Sequence, residues 1–163
     1  MSLFNNPKPV KLVIGAFIIV VLIFFAYDGR AETAVEGGVP FISDNIKLET
    51  FNIMLSERNE RWRGGIGLIG DMTYKSRNVQ NNMLVFGERI VRGPGFLDNV
   101  ILGIGLGYFN NTSHATSSHL NYGLSIEYSI PNTRFYGIFR HYSNAGTSRP
   151  NAGVNMINGG YRF

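Results

Sequence analysis

Two long stretches of strict alternation constrain the fold more than any other feature of the chain. In "VILGIGLGYF", residues 100–109, apolar side chains alternate largely with glycines, and in "LNYGLSIEYSI", residues 120–130, they alternate with small or polar residues. Successive side chains of a β-strand point to opposite faces. Each stretch therefore predicts a strand with one apolar face and one small or polar face. The 20 glycines and the low charged fraction of 16% also favour a β-rich protein.

The length of these segments separates two kinds of β protein. A soluble sandwich would show the same alternation, but its strands usually have about five or six residues, whereas tilted membrane-spanning strands need about nine to eleven. Tyrosines and Phe109 lie near the segment ends, as in the aromatic girdles of membrane barrels. The chain ends in "NGGYRF", and its terminal Phe163 resembles the signal that the barrel-assembly machinery recognises in bacterial outer-membrane barrels. We therefore predict an all-β fold, an eight-stranded antiparallel transmembrane β-barrel.

Eight segments supply the predicted strands, and eight is the smallest common strand number of a membrane barrel. They cover residues 33–42, 46–55, 62–74, 82–92, 99–109, 119–130, 134–143 and 153–163. The first is the least regular, because "EGGVP" interrupts it. Four charged residues have inward parity, namely Arg63, Asp71, Glu127 and Arg140. Because an unpaired buried charge is costly, we expect them to form ion pairs in the lumen.

A leader precedes the predicted barrel. Two lysines stand before an unbroken apolar run, residues 12–27, and the small residues Gly29 and Ala31 follow in the pattern of a cleavage site. This is the layout of a secretory signal peptide. An uncleaved signal anchor is the alternative, because the apolar run approaches a spanning length. We expect residues 1–31 to be the leader and residues 32–163 to form the barrel.

Composition excludes several kinds of site. The chain has no cysteine, so disulfides, thiolate metal sites and cysteine nucleophiles are excluded. The leader holds three of the 15 basic residues and one of the 11 acidic residues, so much of the net charge of +4 belongs to it, and nothing indicates nucleic-acid binding. His114 and His119 have no carboxylate or cysteine near them in the sequence. We predict no metal site and no cofactor.

A polar pair interrupts the apolar face of the seventh segment. In "FRHYSNAG", His141 and Ser143 share a face with Phe139, while Arg140 belongs to the other face. With the charge of Arg140 in the lumen, His141 and Ser143 point outward toward lipid. The same parity on the last strand brings Asn155 to the adjacent outward position. Polar groups at a lipid face cost free energy unless they are paired, so they indicate a functional site.

These residue types suit nucleophilic catalysis. His141 and Ser143 are roughly 7 Å apart by strand rise, and on one face the imidazole can take the serine proton as a general base. Asn155 can hold the other imidazole nitrogen. Spacing alone leaves open the alternative that the pair makes ordinary hydrogen bonds at the level of the lipid headgroups.

The stretch "RHYSNAG…PNAGVN", residues 140–155, resembles the signature of the PagL-type lipid A 3-O-deacylases. The resemblance implies an eight-stranded barrel of the bacterial outer membrane. It also implies hydrolysis, at the outer leaflet, of the ester-linked acyl chain at the 3-position of lipid A, the anchor of lipopolysaccharide. Ser143 would be the nucleophile and His141 the general base. Asn144 and the backbone N–H of Gly146 would form the oxyanion hole.

Asn155 stands where that family typically has a glutamate. An amide can orient His141 but cannot neutralise an imidazolium, and such an exchange costs about 10⁴ in rate in a serine protease. The leading interpretation is a serine-type ester hydrolase with lipid A as substrate, a multi-pass protein of the outer membrane. The alternative is a non-catalytic structural or adhesive barrel of the OmpX type. The sequence leaves open whether the barrel forms a homodimer.

Overall fold

The computed structural model describes residues 31–42, 50–74, 77–113, 115–147 and 151–163. Eight of the described strands close into an antiparallel barrel. They are β1 Glu32–Phe41, β2 Asn52–Arg58, β3 Trp62–Ile69, β6 Asn82–Arg92, β7 Val100–Phe109, β8 Leu120–Ser129, β9 Phe135–Ser143 and β10 Val154–Arg162. A short hairpin of β4 Met72–Tyr74 and β5 Arg77–Val79 stands between β3 and β6. No helix among the described residues is long and apolar enough to cross a membrane.

The first and last strands close the barrel. β1 pairs with β10 from Ala34 to Phe41, so β1 runs through the irregular "EGGVP" segment without a break. The remaining barrel strands each pair with their neighbours in chain order. Closure pairs every strand edge, which is the condition for a sheet to sit in a bilayer. The predicted eight-stranded antiparallel barrel is confirmed.

The connections fall into two groups at opposite ends of the barrel. One end, called the loop end, carries the connections from β1 to β2, from β3 to β6, from β7 to β8 and from β9 to β10. The other, called the turn end, carries the shorter connections at 59–61, 93–99 and 130–134. Because β9 runs toward the loop end and β10 runs away from it, the end of β9 and the start of β10 meet there.

Two predicted strand ends are wrong. The predicted start of the second strand, residues 46–49, lies outside the described residues, and β2 begins at Asn52. β2 continues three residues beyond its predicted end, because its charged last residue, Arg58, belongs to the barrel and donates to Glu127 at 2.9 Å. β3 stops at Ile69, five residues early, because the segment from Met72 pairs with β5 in the separate hairpin. The Met72 side chain is buried in the apolar cluster at the loop end of the lumen.

Charged side chains fill the middle of the lumen. Arg140 donates to Glu36 at 2.7 Å, and both side chains are fully buried. Arg63 donates to Glu88 at 2.5 Å and also to Glu127. The predicted lumenal ion pairs are therefore confirmed for three of the four residues.

The prediction is wrong for Asp71. It is exposed in the connection after β3 and accepts a hydrogen bond from the backbone N–H of Asn81. β3 ends at Ile69, so the alternation of inward and outward side chains along β3 does not extend to Asp71. The predicted inward direction of Asp71 is therefore wrong.

The lumen cannot hold large inward side chains on all eight strands at once. At Gly103 on β7, a Cβ atom would lie 2.3 Å from a carboxylate oxygen of Glu88 and 2.3 Å from the hydroxyl of Ser125. Such distances are far below van der Waals contact. The missing side chain at Gly103 therefore leaves room for Glu88, the partner of Arg63, on the small inward face that the alternation predicts.

Two predictions about the chain ends remain predictions. Residues 1–30 of the predicted leader lie outside the described residues. Phe163 is 67% exposed and packs edge-on against Tyr161, with 5.3 Å between ring centroids. Its recognition by the assembly machinery is not tested by this packing.

Candidate active site

The direction of the β9 side chains follows from one buried cation. Arg140 is fully buried and held by Glu36, and its guanidinium lies over the Phe86 ring at 4.6 Å. Tyr136, Ile138 and Tyr142 share its inward face and are also buried. The alternating residues, including His141 and Ser143, therefore point to the outside of the barrel.

His141 and Asn155 form the central contact of the outward face. They lie directly opposite each other in the β9–β10 register, where side chains on one face come close enough to bond. His141 Nδ1 and Asn155 Oδ1 are 2.8 Å apart. Because an amide oxygen only accepts, Nδ1–H is the donor, which leaves the Nε2 lone pair free to take a proton. Asn155 is only 7% exposed, so the contact is largely shielded from water.

Ser143 is the third polar residue of the outward face, and we call His141, Asn155 and Ser143 together the polar group. It lies two residues beyond His141, opposite Tyr122 of β8, and is partly buried. Its hydroxyl makes no hydrogen bond to any other described residue. Ser143 and His141 are therefore not hydrogen-bonded to each other. Catalytic hydrogen bonds of free enzymes are often long and tighten only when substrate is bound.

Asn144 organises the loop that follows β9. Its side chain is buried; Nδ2 donates to Ser117 Oγ at 2.7 Å, and Oδ1 accepts the Gly146 N–H at 2.9 Å. Asn144 N–H donates to Asn151 Oδ1 at 3.2 Å. The two predicted oxyanion donors are thus brought together, with the Gly146 N–H bonded to Asn144 itself.

An apolar surface surrounds the polar group on the outside of the barrel. We call it the apolar wall, and its members lie on β8, β9 and β10: Tyr122, Leu124, Ile126, Phe139 and Ile157. Each is between 37% and 56% exposed. Leu124 lies directly opposite His141, on the side away from Asn155. The polar group is therefore placed within a surface suited to acyl chains.

The connection 110–119 also contributes to the site, although no residue of it was predicted to do so. The Ala115 carbonyl accepts the Gly153 N–H at 3.0 Å, and Ser117 bonds Asn144 as described above. Ala115 is fully buried. In the sequence, the only local sign of this role is an alanine within a run of polar residues. Its contact with Gly153 of the connection after β9 is visible only in the folded structure.

Histidines and acidic residues elsewhere do not form a metal centre in the described part of the chain. No group of three or more such side chains there is placed to hold an ion. His119 stacks on Tyr108, with 5.5 Å between ring centroids, and its Nδ1 lies 2.8 Å from the Phe109 carbonyl. His114 lies outside the described residues.

Comparisons with known proteins agree with this architecture. Residues 46–163, which include all barrel strands except β1, match the family described as lipid A 3-O-deacylase (PagL). No curated protein matches the chain. A solved structure titled "Crystal structure of the outer membrane enzyme PagL" has a TM-score of 0.55 and 16% identity, over 82% of this chain and 99% of that one. At that identity the likeness shows a shared fold. Because the family match covers well over half of the sequence, this chain belongs to the PagL family of lipid A 3-O-deacylases.

Proposed function

We propose that this protein hydrolyses the 3-O-linked acyl ester of lipid A, with Ser143 as nucleophile and His141 as general base. Membership of the PagL family and the barrel fold indicate an outer-membrane protein and support lipid A deacylation in general. The observation that supports the detailed mechanism is the 2.8 Å contact between His141 and Asn155 on the outward face. It holds the imidazole in the tautomer that a general base requires.

The first half of the reaction transfers the acyl group to the enzyme. His141 Nε2 takes the hydroxyl proton of Ser143 while Oγ bonds to the ester carbonyl carbon, and the carbonyl electrons move to its oxygen. The tetrahedral intermediate collapses with cleavage of the bond to the sugar oxygen. That oxygen takes the proton from Nε2 and leaves as the free 3-hydroxyl. Ser143 then carries the acyl chain.

The second half returns the enzyme to its starting state. His141 takes a proton from water as the water oxygen attacks the acyl-serine carbonyl carbon. Collapse breaks the bond to Ser143 Oγ, which regains a proton from Nε2. The free fatty acid leaves, and the cycle requires no cofactor.

Asn144 and Gly146 are the proposed oxyanion donors. In the free enzyme the Gly146 N–H is bonded to Asn144 Oδ1. This donor therefore becomes available only when the Asn144 side chain turns as substrate binds. Oxyanion donors stabilise the charge on the attacked carbonyl oxygen, and losing one typically costs about 10² to 10³ in kcat.

The apolar wall supplies the binding surface for the acyl chain. Leu124 flanks His141 on β8, and Ile157 follows two residues after Asn155 on β10. A chain that lies against this wall brings its ester group to the level of the polar residues near the loop end. Lipid A can then reach Ser143 laterally from the membrane.

A non-catalytic barrel is the second candidate, and two observations favour it. Asn155 cannot neutralise an imidazolium as a carboxylate does. The Ser143 hydroxyl also has no hydrogen-bond partner among the described residues. In this case the His141–Asn155 contact only satisfies polar groups on the barrel wall.

Mass spectrometry of lipid A from bacteria that express the protein tests the proposal. Wild type is expected to remove one acyl chain at the 3-position, and Ser143→Ala is expected to remove none. Ser129→Ala, the same change at the turn end of β8, is the matched control and should retain activity. Expression and folding are checked by the mobility of the unheated barrel in SDS gels. Intact lipid A with folded wild type and folded Asn155→Glu would favour the non-catalytic barrel.

A further inference from the structure

Gly153 limits how the His141 ring can lie. It directly precedes β10 and has φ +73°. A Cβ atom at this position would stand 2.7 Å from His141 Cε1 and 3.0 Å from the Tyr142 carbonyl oxygen. The edge of the imidazole between its two nitrogens therefore occupies the space that a side chain at residue 153 would need.

This contact complements the hydrogen bond to Asn155. A hydrogen bond at Nδ1 limits rotation of the ring about the bond that joins it to Cβ only to the range of angles that the hydrogen bond tolerates, and Nε2 moves within that range. The backbone of Gly153 beside Cε1 narrows that range, because the ring is then bounded along the edge next to the bonded nitrogen as well. The direction of the Nε2 lone pair follows from these two contacts together.

The connection 110–119 fixes the position of Gly153 through a backbone hydrogen bond. The Gly153 N–H donates to the carbonyl of the fully buried Ala115 at 3.0 Å. The turn around Ala115 is itself fixed, because Ser113 Oγ accepts the N–H groups of Ala115 and Thr116 at 3.0 and 3.2 Å. Ser117 bonds Asn144 at the other end of the loop that Gly153 closes.

We infer that Gly153 is a positioning residue for His141, and that the connection 110–119 acts on catalysis by holding Gly153 in place. The kinetic consequence rests on the proposed function, whereas the orientation of the ring does not. A side chain at residue 153 displaces the imidazole from Ser143. Displacing a catalytic group by on the order of 1 Å can lower the rate about 10²-fold.

The test compares Gly153→Ala with Gly95→Ala. Gly95 also has positive φ, +55°, but lies at the turn end, where a Cβ atom would meet nothing within 4 Å. Both variants therefore strain the backbone, and only the first contacts the imidazole. The readouts are the NMR signal of the His141 Cε1–H group in detergent micelles, assigned by its loss in His141→Gln, and kcat and KM for lipid A. Folding is followed by the mobility of the unheated barrel.

Gly153→Ala is expected to fold, to shift the His141 signal and to lower kcat about 10²-fold with little change in KM. Gly95→Ala is expected to leave the signal and kcat unchanged. An unchanged signal and kcat in folded Gly153→Ala would overturn the inference, and so would an equal loss of kcat in Gly95→Ala.

Two further outcomes are also decisive. If wild type does not deacylate lipid A, the proposed function fails, and the His141 signal in Gly153→Ala alone decides whether Gly153 positions the ring. If Gly153→Ala does not fold, Ser117→Ala carries the test, because it loosens the connection 110–119 without adding a side chain near His141. A shifted His141 signal in folded Ser117→Ala supports the inference, and an unchanged one overturns it.

Discussion

Replacing Asn155 by aspartate should raise the rate of deacylation. The substitution keeps the length of the side chain, so a carboxylate oxygen takes the place of Oδ1 at 2.8 Å from His141 Nδ1. In the proposed mechanism the imidazole becomes a cation during acyl transfer, and a carboxylate attracts this cation with a full charge, whereas the amide offers only a dipole. At a separation of about 4 Å and an effective dielectric constant of about 20, the attraction is about 4 kcal/mol.

That attraction sets an upper limit on the gain. About 1.36 kcal/mol corresponds to a tenfold change in rate, so the limit is about 10³-fold. The carboxylate also strengthens its bond to the neutral imidazole before reaction, which reduces the difference between ground state and transition state. We expect kcat to rise between about tenfold and about 10³-fold. Asn155→Glu should change the rate in the same direction, since glutamate is the residue typical of the family.

The assay measures release of fatty acid from lipid A by purified, folded protein in detergent. Asn151→Asp is the matched control: it adds the same charge to the connection just before β10, but its side chain contacts the Asn144 N–H rather than the imidazole. The control should leave kcat essentially unchanged. If Asn155→Asp and Asn155→Glu both fold and are no faster than wild type, stabilisation of the imidazolium does not limit the reaction, and the reasoning is wrong.

Three further predictions concern the lumen and the apolar wall. Arg140→Met should lower the free energy of unfolding in urea by about 3–5 kcal/mol, because it leaves the Glu36 carboxylate buried without its cation. Adding Glu36→Gln should restore most of this stability. No recovery in the double variant would contradict the ion pair. Gly103→Ala should lower the free energy of unfolding by about 1–3 kcal/mol through overpacking. Gly87→Ala should lower it clearly less, because a Cβ atom there meets nothing within 4 Å. Equal urea midpoints of the two variants would refute the packing argument. Leu124→Ser should raise KM for lipid A about tenfold, because burying a leucine against an acyl chain contributes about 1.5–3 kcal/mol. A fall in kcat at constant KM would instead indicate that Leu124 acts on the chemistry.

The barrel could be predicted because alternation is a local property. β7 and β8 were placed to within a residue, since each contains an uninterrupted period of two. The errors arose where local signals compete with long-range pairing. In the sequence, Arg58 resembles the start of a turn. In the structure it extends β2 because it binds Glu127, which is 69 residues away in the chain. Asp71 has inward parity only if β3 is continued through the start of the hairpin.

The candidate site could be predicted only in part. The spacing of His141 and Ser143, and the resemblance of the surrounding stretch, identified both residues and Asn155 as candidates. The bonds of Asn144 to Ser117 and of Gly153 to Ala115 have no signal in the order of the residues. They join loops that are separated in the sequence and meet only at one end of the closed barrel.

The sequence by itself determined which side chains share a face, because a strand has a period of two and the charge of Arg140 requires the lumen. It also determined the chemistry that the outward polar residues can offer. Only the tertiary structure decided that His141 stands opposite Asn155 rather than one or two residues away. That register depends on the closure of all eight strands, in which a slip of one residue would move every side chain of a strand to the other face.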